Sequence, residues 1–367
     1  MKVICDRGGL VESLNLVSGV VVARTPKPVL RCVKLKAQEG LMVLAATDLE
    51  VSVAVTTPRV EVTEAGETLV PCDKLLQIVR ESVDPTLDLQ VEQDVAHIRG
   101  PDSHFEIYGQ PAADFPPEPQ FTGEPDFQIQ AGLFARLISQ TAFAAARETS
   151  RYAMNGVLID REGKTLTVVA TDGRRLALAR GDCDAGSDSA RQSAIVPTKA
   201  LNLLQRLCTD EEQLVKVRIA ENQIVFATEQ MVLASNLVEG NFPPYEDVIP
   251  KDGDRKATIG TEVFGRAVRR AALLTDEESK GVRIAFSSEG VKLTSRAPDV
   301  GHAEIEAPVV GFEGEPMEIG FNPQFILDAL KVVDVEQVVL ALKAPNKPGL
   351  LKGGPDFFYV IMPVNLT

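Results

Sequence analysis

The chain has 367 residues, too many for one ordinary core, so two or three domains are expected. Hydrophobic content of 44% with 25% charged residues excludes a disordered or fibrous chain, and no stretch approaches the roughly 18 uninterrupted apolar residues of a membrane span. A net charge of −14 excludes a protein that coats nucleic acid with its whole surface. It leaves room for a basic concavity inside an acidic exterior, because screening over about 8–10 Å separates two faces.

Taken in chain order, the elements recur. LVESLNLVSGVVV from Leu10 is amphipathic and predicts a helix. Residues 41–55, LMVLAATDLEVSVAV, are apolar strands with Thr47-Asp48 between them. Val70-Pro71 then opens VPCDKLLQIVRE, a second helix with Leu75, Ile78 and Val79 on one face, and Phe115-Pro116-Pro117 closes the unit. The series starts again with LFARLISQTAFAAA from Leu133 and LTVVATDGRRLALAR from Leu166, which places the second ATD triplet 124 residues after the first. VPTKALNLLQRL from Val196 follows, then the alternating runs VRIAENQIVFAT and MVLASNLV, and Phe242-Pro243-Pro244. A third pass brings VFGRAVRRAALL from Val263, a degenerate VKLTS ending at Ser295, and FNPQFILDALKVV from Phe321. Asn322 and Pro323 are helix-start residues there, as Pro71, Asp73 and Thr198 are earlier. A period this long marks repeated domains, since solenoid units run about 20–50 residues. The expected fold class is α+β, three repeats of two helices on an antiparallel sheet, with domains at 1–122, 127–248 and 249–367. Like units joined head to tail close into a ring or run on as a filament, and nothing in the sequence suggests a filament.

With the repeats in view, further segments become recognisable. RYAMNGVLI (151–159), ATDGRRLA (170–177), VEGNFPPYEDVIP (238–250), VVARTPKPVL (21–30) and the C-terminal YVIMPVNL (359–366) closely resemble the bacterial replicative sliding clamps, the beta subunits of DNA polymerase III. The resemblance runs over essentially the whole chain, in order. It implies three clamp domains per chain and a six-domain ring made by a head-to-tail homodimer, with helices around the hole and sheets outside. The implied function is a processivity factor that encircles duplex DNA without reading its sequence. It would tether the catalytic subunit of the replicative polymerase, the clamp loader and other proteins carrying a clamp-binding motif. With no Trp and four Tyr, the chain is poor in the base-stacking platforms of single-strand binders, which suits sliding on duplex.

Three residue sets follow from the resemblance. A groove for short hydrophobic peptides would be lined by Met154, Thr171, Gly173, Arg174, Arg175, Leu176, Pro243, Val248, Phe325, Pro348, Val360, Met362, Pro363, Val364 and Leu366, with Met362–Leu366 an apolar tail of the sort that commonly frays. Arg174, Asn365 and Thr367 depart from the family's pattern there. DNA would be faced by Arg24, Arg147, Arg151 and Tyr152, joined by Arg80, Lys199, Arg206 and Arg269, basic residues of matching helices that could point inward. At the dimer contact Phe105 and Ile107 would meet Leu273 and Leu274 of the other chain, with Lys74, Arg99 and His104 facing Asp299, Glu304 and Glu306. The alternative for each residue taken singly is an ordinary core, turn or surface position. For the whole chain it is a non-enzymatic peptide-binding scaffold that does not encircle DNA.

Catalysis is not expected. Asp48 and Asp172 belong to separate repeats and read as turn residues. His97, His104 and His302 read as isolated, and neither a phosphate-binding glycine loop nor a nucleophile–base arrangement is present, so no metal or other cofactor is expected. Cys5, Cys32, Cys72, Cys183 and Cys208 are scattered and unpaired, as reduced cytosolic thiols would be. With no basic-then-apolar leader after Met1, the expected location is the cytoplasm.

Overall fold

The computed structural model describes residues 1–57, 59–147, 153–185, 191–251, 253–275 and 281–365. Its α-helices fall two to each third of the chain: α1 (Arg7–Ser18), α2 (Cys72–Glu81), α3 (Ala131–Thr141), α4 (Thr198–Leu207), α5 (Thr261–Ala271) and α6 (Pro323–Val332). Local chemistry sets their starts. The Asp6 carboxylate accepts the Gly9 amide at 2.7 Å at the head of α1. Asn322 accepts the Gln324 amide at 2.9 Å at the head of α6, with Pro323 in the first helical position as its neighbours predict. The apolar stripes face inward: Leu75 and Val79 of α2, Leu201 and Leu204 of α4, and Ile326 and Leu330 of α6 are all buried.

Contacts divide the chain into two compact units. The first comprises Met1–Gly132, Asp184–Ser189 and Lys199–Leu237; the second comprises Leu133–Cys183, Ala190–Thr198 and Val238–Thr367. The first holds a five-stranded sheet in the order Val60–Glu64, Lys2–Asp6, Thr86–Glu92, Val95–Arg99, His104–Tyr108. It also holds a nine-stranded sheet in the order Asp184–Ala185, Phe127–Gln130, Leu214–Ile219, Gln223–Ala227, Met231–Asn236, Val51–Thr57, Leu41–Thr47, Cys32–Gln38, Gly66–Pro71. The second unit has its own nine-stranded sheet: Gln192–Pro197, Gly156–Glu162, Thr165–Thr171, Arg175–Asp182, Phe357–Ile361, Gly349–Lys352, Gln337–Leu342, Arg255–Gly260, Gly311–Glu313. Its four-stranded sheet runs Gly301–Ala307, Gly290–Ala297, Val282–Ser287, Met317–Phe321. The pairings that build these sheets are antiparallel.

Two of these pairings cross from one sequence repeat into the next. Met231–Asn236 of the second repeat lies against Val51–Thr57 of the first, with Met231 opposite Val55. Arg175–Asp182 of the second lies against Phe357–Ile361 of the third, with Ala177 opposite Tyr359. Each half of the second repeat therefore shares a sheet with a different neighbour. That is why the compact units number two where the sequence repeats three times.

The two ATD triplets make the same turn. The Asp48 carboxylate accepts the amides of Glu50 and Val51 at 2.9 and 2.7 Å, and Asp172 accepts those of Arg174 and Arg175 at 2.9 and 3.0 Å. Thr47 and Thr171 each accept the amide two residues on and donate to the carbonyl four residues on. The position after the Asp has positive φ in both, 78° at Leu49 and 82° at Gly173. Only the second copy has the residue that takes this conformation without strain. In the degenerate third copy, Ser295 turns its hydroxyl to the Ala271 carbonyl at 2.6 Å, and its strand runs on to Ala297 before turning.

Candidate functional site

The residues expected to line a peptide groove all fall in the second unit. Their floor is the junction of Arg175–Asp182 with Phe357–Ile361, over a core of Leu176, Leu178, Leu350 and Val360. Val238, Phe242, Ile249 and Phe358 pack on that core from its edge. The chain leaving Ile361 is hydrogen-bonded as far as Val364. The Met362 amide donates to the Arg174 carbonyl at 2.9 Å, and the Val364 amide donates to the Gly320 carbonyl at 2.9 Å. Two backbone bonds thus hold the segment against the ATD turn on one side and the strand before α6 on the other. Leu366 lies outside the described residues.

Arg175 joins the walls. Its Nε donates to Asp172 Oδ2 at 3.1 Å, Nη1 to Asp328 Oδ2 at 2.5 Å, and Nη2 to the Phe143 carbonyl at 2.9 Å. The guanidinium also lies 4.6 Å from the Phe325 ring centroid and 5.4 Å from that of Phe143. Desolvation pulls its pKa down, but Tyr359, Asp328 and Asp172 outweigh that and hold it above the ordinary arginine value. Burial pushes the Tyr359 phenol well above its usual range, while the Arg175 charge pulls the other way. Arg175 is committed within the chain as a brace between the ATD turn, α6 and the segment after α3.

The remaining groove residues divide by exposure. Thr171, Leu176 and Val360 are buried and form structure. Met154, Pro243, Phe325, Pro348, Pro363 and Val364 are half-buried along the walls. Val248 and Met362, at 45% and 39% exposure, are apolar surface open to a partner, and Gly173 and Arg174 form an open rim. Val248 is held by its amide bond to the Tyr245 carbonyl at 3.1 Å, and Tyr245 is anchored in the core. Sequence reasoning missed Asp328, Phe143 and Tyr359. Asp328 had a signal, one helical turn after Phe325 on α6; the Phe143 contribution is a backbone carbonyl and had none.

The basic set is dispersed. Arg24, Arg80, Arg147, Lys199, Arg206 and Arg269 are all exposed, and Arg151 and Tyr152 lie outside the described residues. Lys199 is ion-paired with Asp48, and Arg80 donates to Asn15. The Arg206 guanidinium sits so close to Gly19 that a Cβ there would meet Nη2 at 2.5 Å.

The edge strands His104–Tyr108 and Gly301–Ala307 each end their sheet unpaired. Phe105 and Tyr108 are exposed on the first, whereas Ile107 points into its own core at 7% exposure. Leu273, in the short 3-10 helix after α5, is 79% exposed, while Leu274 is half-buried near Gly301. Asp299, Glu304, Glu306 and Lys74 are exposed; Glu304 pairs with Lys292 at 2.7 Å, and Arg99 donates to Gln90 at 2.8 Å. One sequence expectation does not hold. His97 and His104 are not isolated: the hairpin register brings their ring nitrogens to 3.1 Å.

Three helix-pair-on-antiparallel-sheet repeats, joined through shared sheets, define a DNA-clamp architecture. The DNA polymerase III beta subunit families match in succession, the N-terminal domain at residues 1–119, the central domain at 128–244 and the C-terminal domain at 246–365. The beta sliding clamp of Pseudomonas putida is 35% identical over 364 residues, covering 98% of this chain and 99% of that protein. The beta sliding clamp of Escherichia coli K12 is 33% identical over 369 residues and all of both chains. The crystal structure of the DNA polymerase III subunit beta from Pseudomonas aeruginosa superposes with a TM-score of 0.93 at 34% identity, covering 100% of both. The chain belongs to the DNA polymerase III beta subunit family: it is a sliding clamp, a processivity factor of DNA replication.

Proposed function

We propose that two copies of this chain close head to tail around duplex DNA, with domains at 1–122, 127–248 and 249–367, and act without catalysing a reaction. The groove would hold the replicative polymerase, the clamp loader and other partners in turn by a short hydrophobic peptide. The observation that carries this is the groove's construction: a braced floor under apolar residues, Val248 and Met362, that remain exposed. An adaptable methionine beside a rigid floor suits several related peptides.

Closure would be made by the two free edge strands, since an unpaired edge with exposed Phe105 and Tyr108 is an aggregation hazard unless covered. Leu273 would supply apolar area at that contact, and the exposed acids of Gly301–Ala307 would face Lys74, Arg99 and His104. The DNA path would be lined by the dispersed Arg24, Arg80, Arg147, Arg151, Lys199, Arg206 and Arg269, with Tyr152 beside them. Spread singly, they suit water-mediated phosphate contacts that hold duplex without gripping it. The place of such a protein would be the cytoplasm, where the replicative polymerase works; no helix among the described residues is long and apolar enough to cross a membrane. The test is retention on circular against linearised plasmid after loading, at a salt concentration that screens phosphate contacts. Retention on circles with loss from linear ends is expected; equal loss from both would leave a peptide-binding scaffold in its place.

A further inference from the structure

We propose that His97, His104 and Glu106 form a binding site for a divalent transition-metal ion of the zinc class. The site takes all three ligands from one hairpin of one chain and none from a second copy, although His104 also belongs to the proposed dimer contact.

The hairpin pairs Val95–Arg99 with His104–Tyr108 through a turn closed by the Gly100 amide on the Ser103 carbonyl at 3.0 Å. In this register His97 lies opposite Glu106 and Arg99 opposite His104. Alternation along the strands then puts His97, His104 and Glu106 on one face. Ala96, Ile98 and Ile107 take the other face and are buried. The three side chains thus converge on the side that solvent reaches, fixed from behind by a packed sheet.

The spacing is that of a coordination sphere. His97 Nδ1 lies 3.1 Å from His104 Nε2 and 3.6 Å from Glu106 Oε1, and His104 Nε2 lies 4.0 Å from the same oxygen. One point lies about 2.1 Å from all three atoms, within the usual range of zinc–nitrogen and zinc–carboxylate bonds. Among the described residues this is the one group of three or more such ligands with that proximity. Without metal, the short nitrogen–nitrogen contact is a hydrogen bond in which one imidazole donates. An ion takes a lone pair from each ring: the imidazole that had donated passes its proton through water to its other nitrogen, and both rings, whose nitrogens face each other, turn toward the ion. Two imidazoles and one carboxylate select zinc, nickel, cobalt or copper over magnesium and calcium, which prefer all-oxygen sites. Three protein ligands leave the fourth position to water.

The test uses the tag-free full-length chain titrated with zinc chloride by calorimetry in a non-chelating buffer near neutral pH. One ion per chain is expected, undiminished by millimolar magnesium, and the cobalt-loaded protein should show the visible absorption of a four-coordinate site. His97→Ala and His104→Ala should each weaken zinc binding at least about 100-fold, because loss of a ligand exceeds the 10–100-fold cost of losing an outer-shell partner. Glu106→Gln, which keeps size and shape, should weaken it by less than either. Zinc should raise the unfolding temperature of the wild type and not of the histidine variants. Absence of saturable zinc uptake by the wild type would overturn the proposal. So would equal affinity in the His97→Ala/His104→Ala double variant.

Discussion

Arg175→Ala is the most informative single change in the proposed groove. The arginine makes two charge-assisted bonds, to Asp172 and Asp328, and one bond to the Phe143 carbonyl. Hydrogen bonds to charged groups are worth about 1.5–3 kcal/mol each. The side chains of Asp172 and Asp328 keep 22% and 26% exposure, so water compensates part of the loss and about 2 kcal/mol remains from the pair. Lost stacking on Phe325 and Phe143 adds about 0.5–1 kcal/mol. A total near 3 kcal/mol corresponds to a fall of about 6–12 °C in the melting of a unit this size. The chain has no Trp, so the transition is best followed by calorimetry and far-UV circular dichroism, with hydrogen exchange on Phe357–Ile361 to localise it. Arg175→Lys should recover less than half, because one ammonium cannot replace a three-way fork. A fall under about 2 °C for alanine, or full recovery by lysine, would refute the brace.

Leu273→Asp should convert the proposed dimer to monomer in sedimentation while leaving the melting temperature within a few degrees; a dimer that persists would remove Leu273 from the proposed contact. Met362→Ala should weaken binding of a hydrophobic polymerase peptide by about 1–2 kcal/mol, read by fluorescence anisotropy, with the dimer intact. Unchanged affinity would move the groove elsewhere. Gly173→Ala should cost about 1 kcal/mol in thermal unfolding, since the added methyl meets nothing within 4 Å and only the backbone conformation at φ 82° resists it. Asparagine there should be better tolerated than alanine, and an alanine variant as stable as the wild type would contradict the strain argument.

The repeats were legible because local chemistry copies itself. ATD predicted a turn twice, and both turns use the same four side-chain hydrogen bonds. Helix starts at Asn322 and Pro323, and the buried stripes of α2, α4 and α6, followed from spacing and capping alone. What spacing did not carry was the pairing of Met231–Asn236 with Val51–Thr57 and of Arg175–Asp182 with Phe357–Ile361. A strand's sequence records that it is apolar on both faces, but not which neighbour it pairs with. The division into compact units depends on that choice.

At the sites, the limits lay in register and in the backbone. Met362 and Val364 lie in an apolar tail that by position alone should fray; their amides are satisfied by Arg174 and Gly320, carbonyls that no motif marks. Arg174 and Arg175 are adjacent and chemically equal in the sequence. One faces solvent and the other is spent on three intramolecular acceptors, because alternation turns Arg175 toward Phe143 and Asp328. The histidines teach the opposite lesson. Gly100-Pro101-Asp102-Ser103 is a turn signal between two alternating runs, and counting outward from it pairs position 97 with 106 and 99 with 104. Seven residues apart in the chain, His97 and His104 read as isolated only while that turn is ignored. Once the hairpin is drawn they must share a face with Glu106, and the metal proposal rests on that register rather than on any spacing motif.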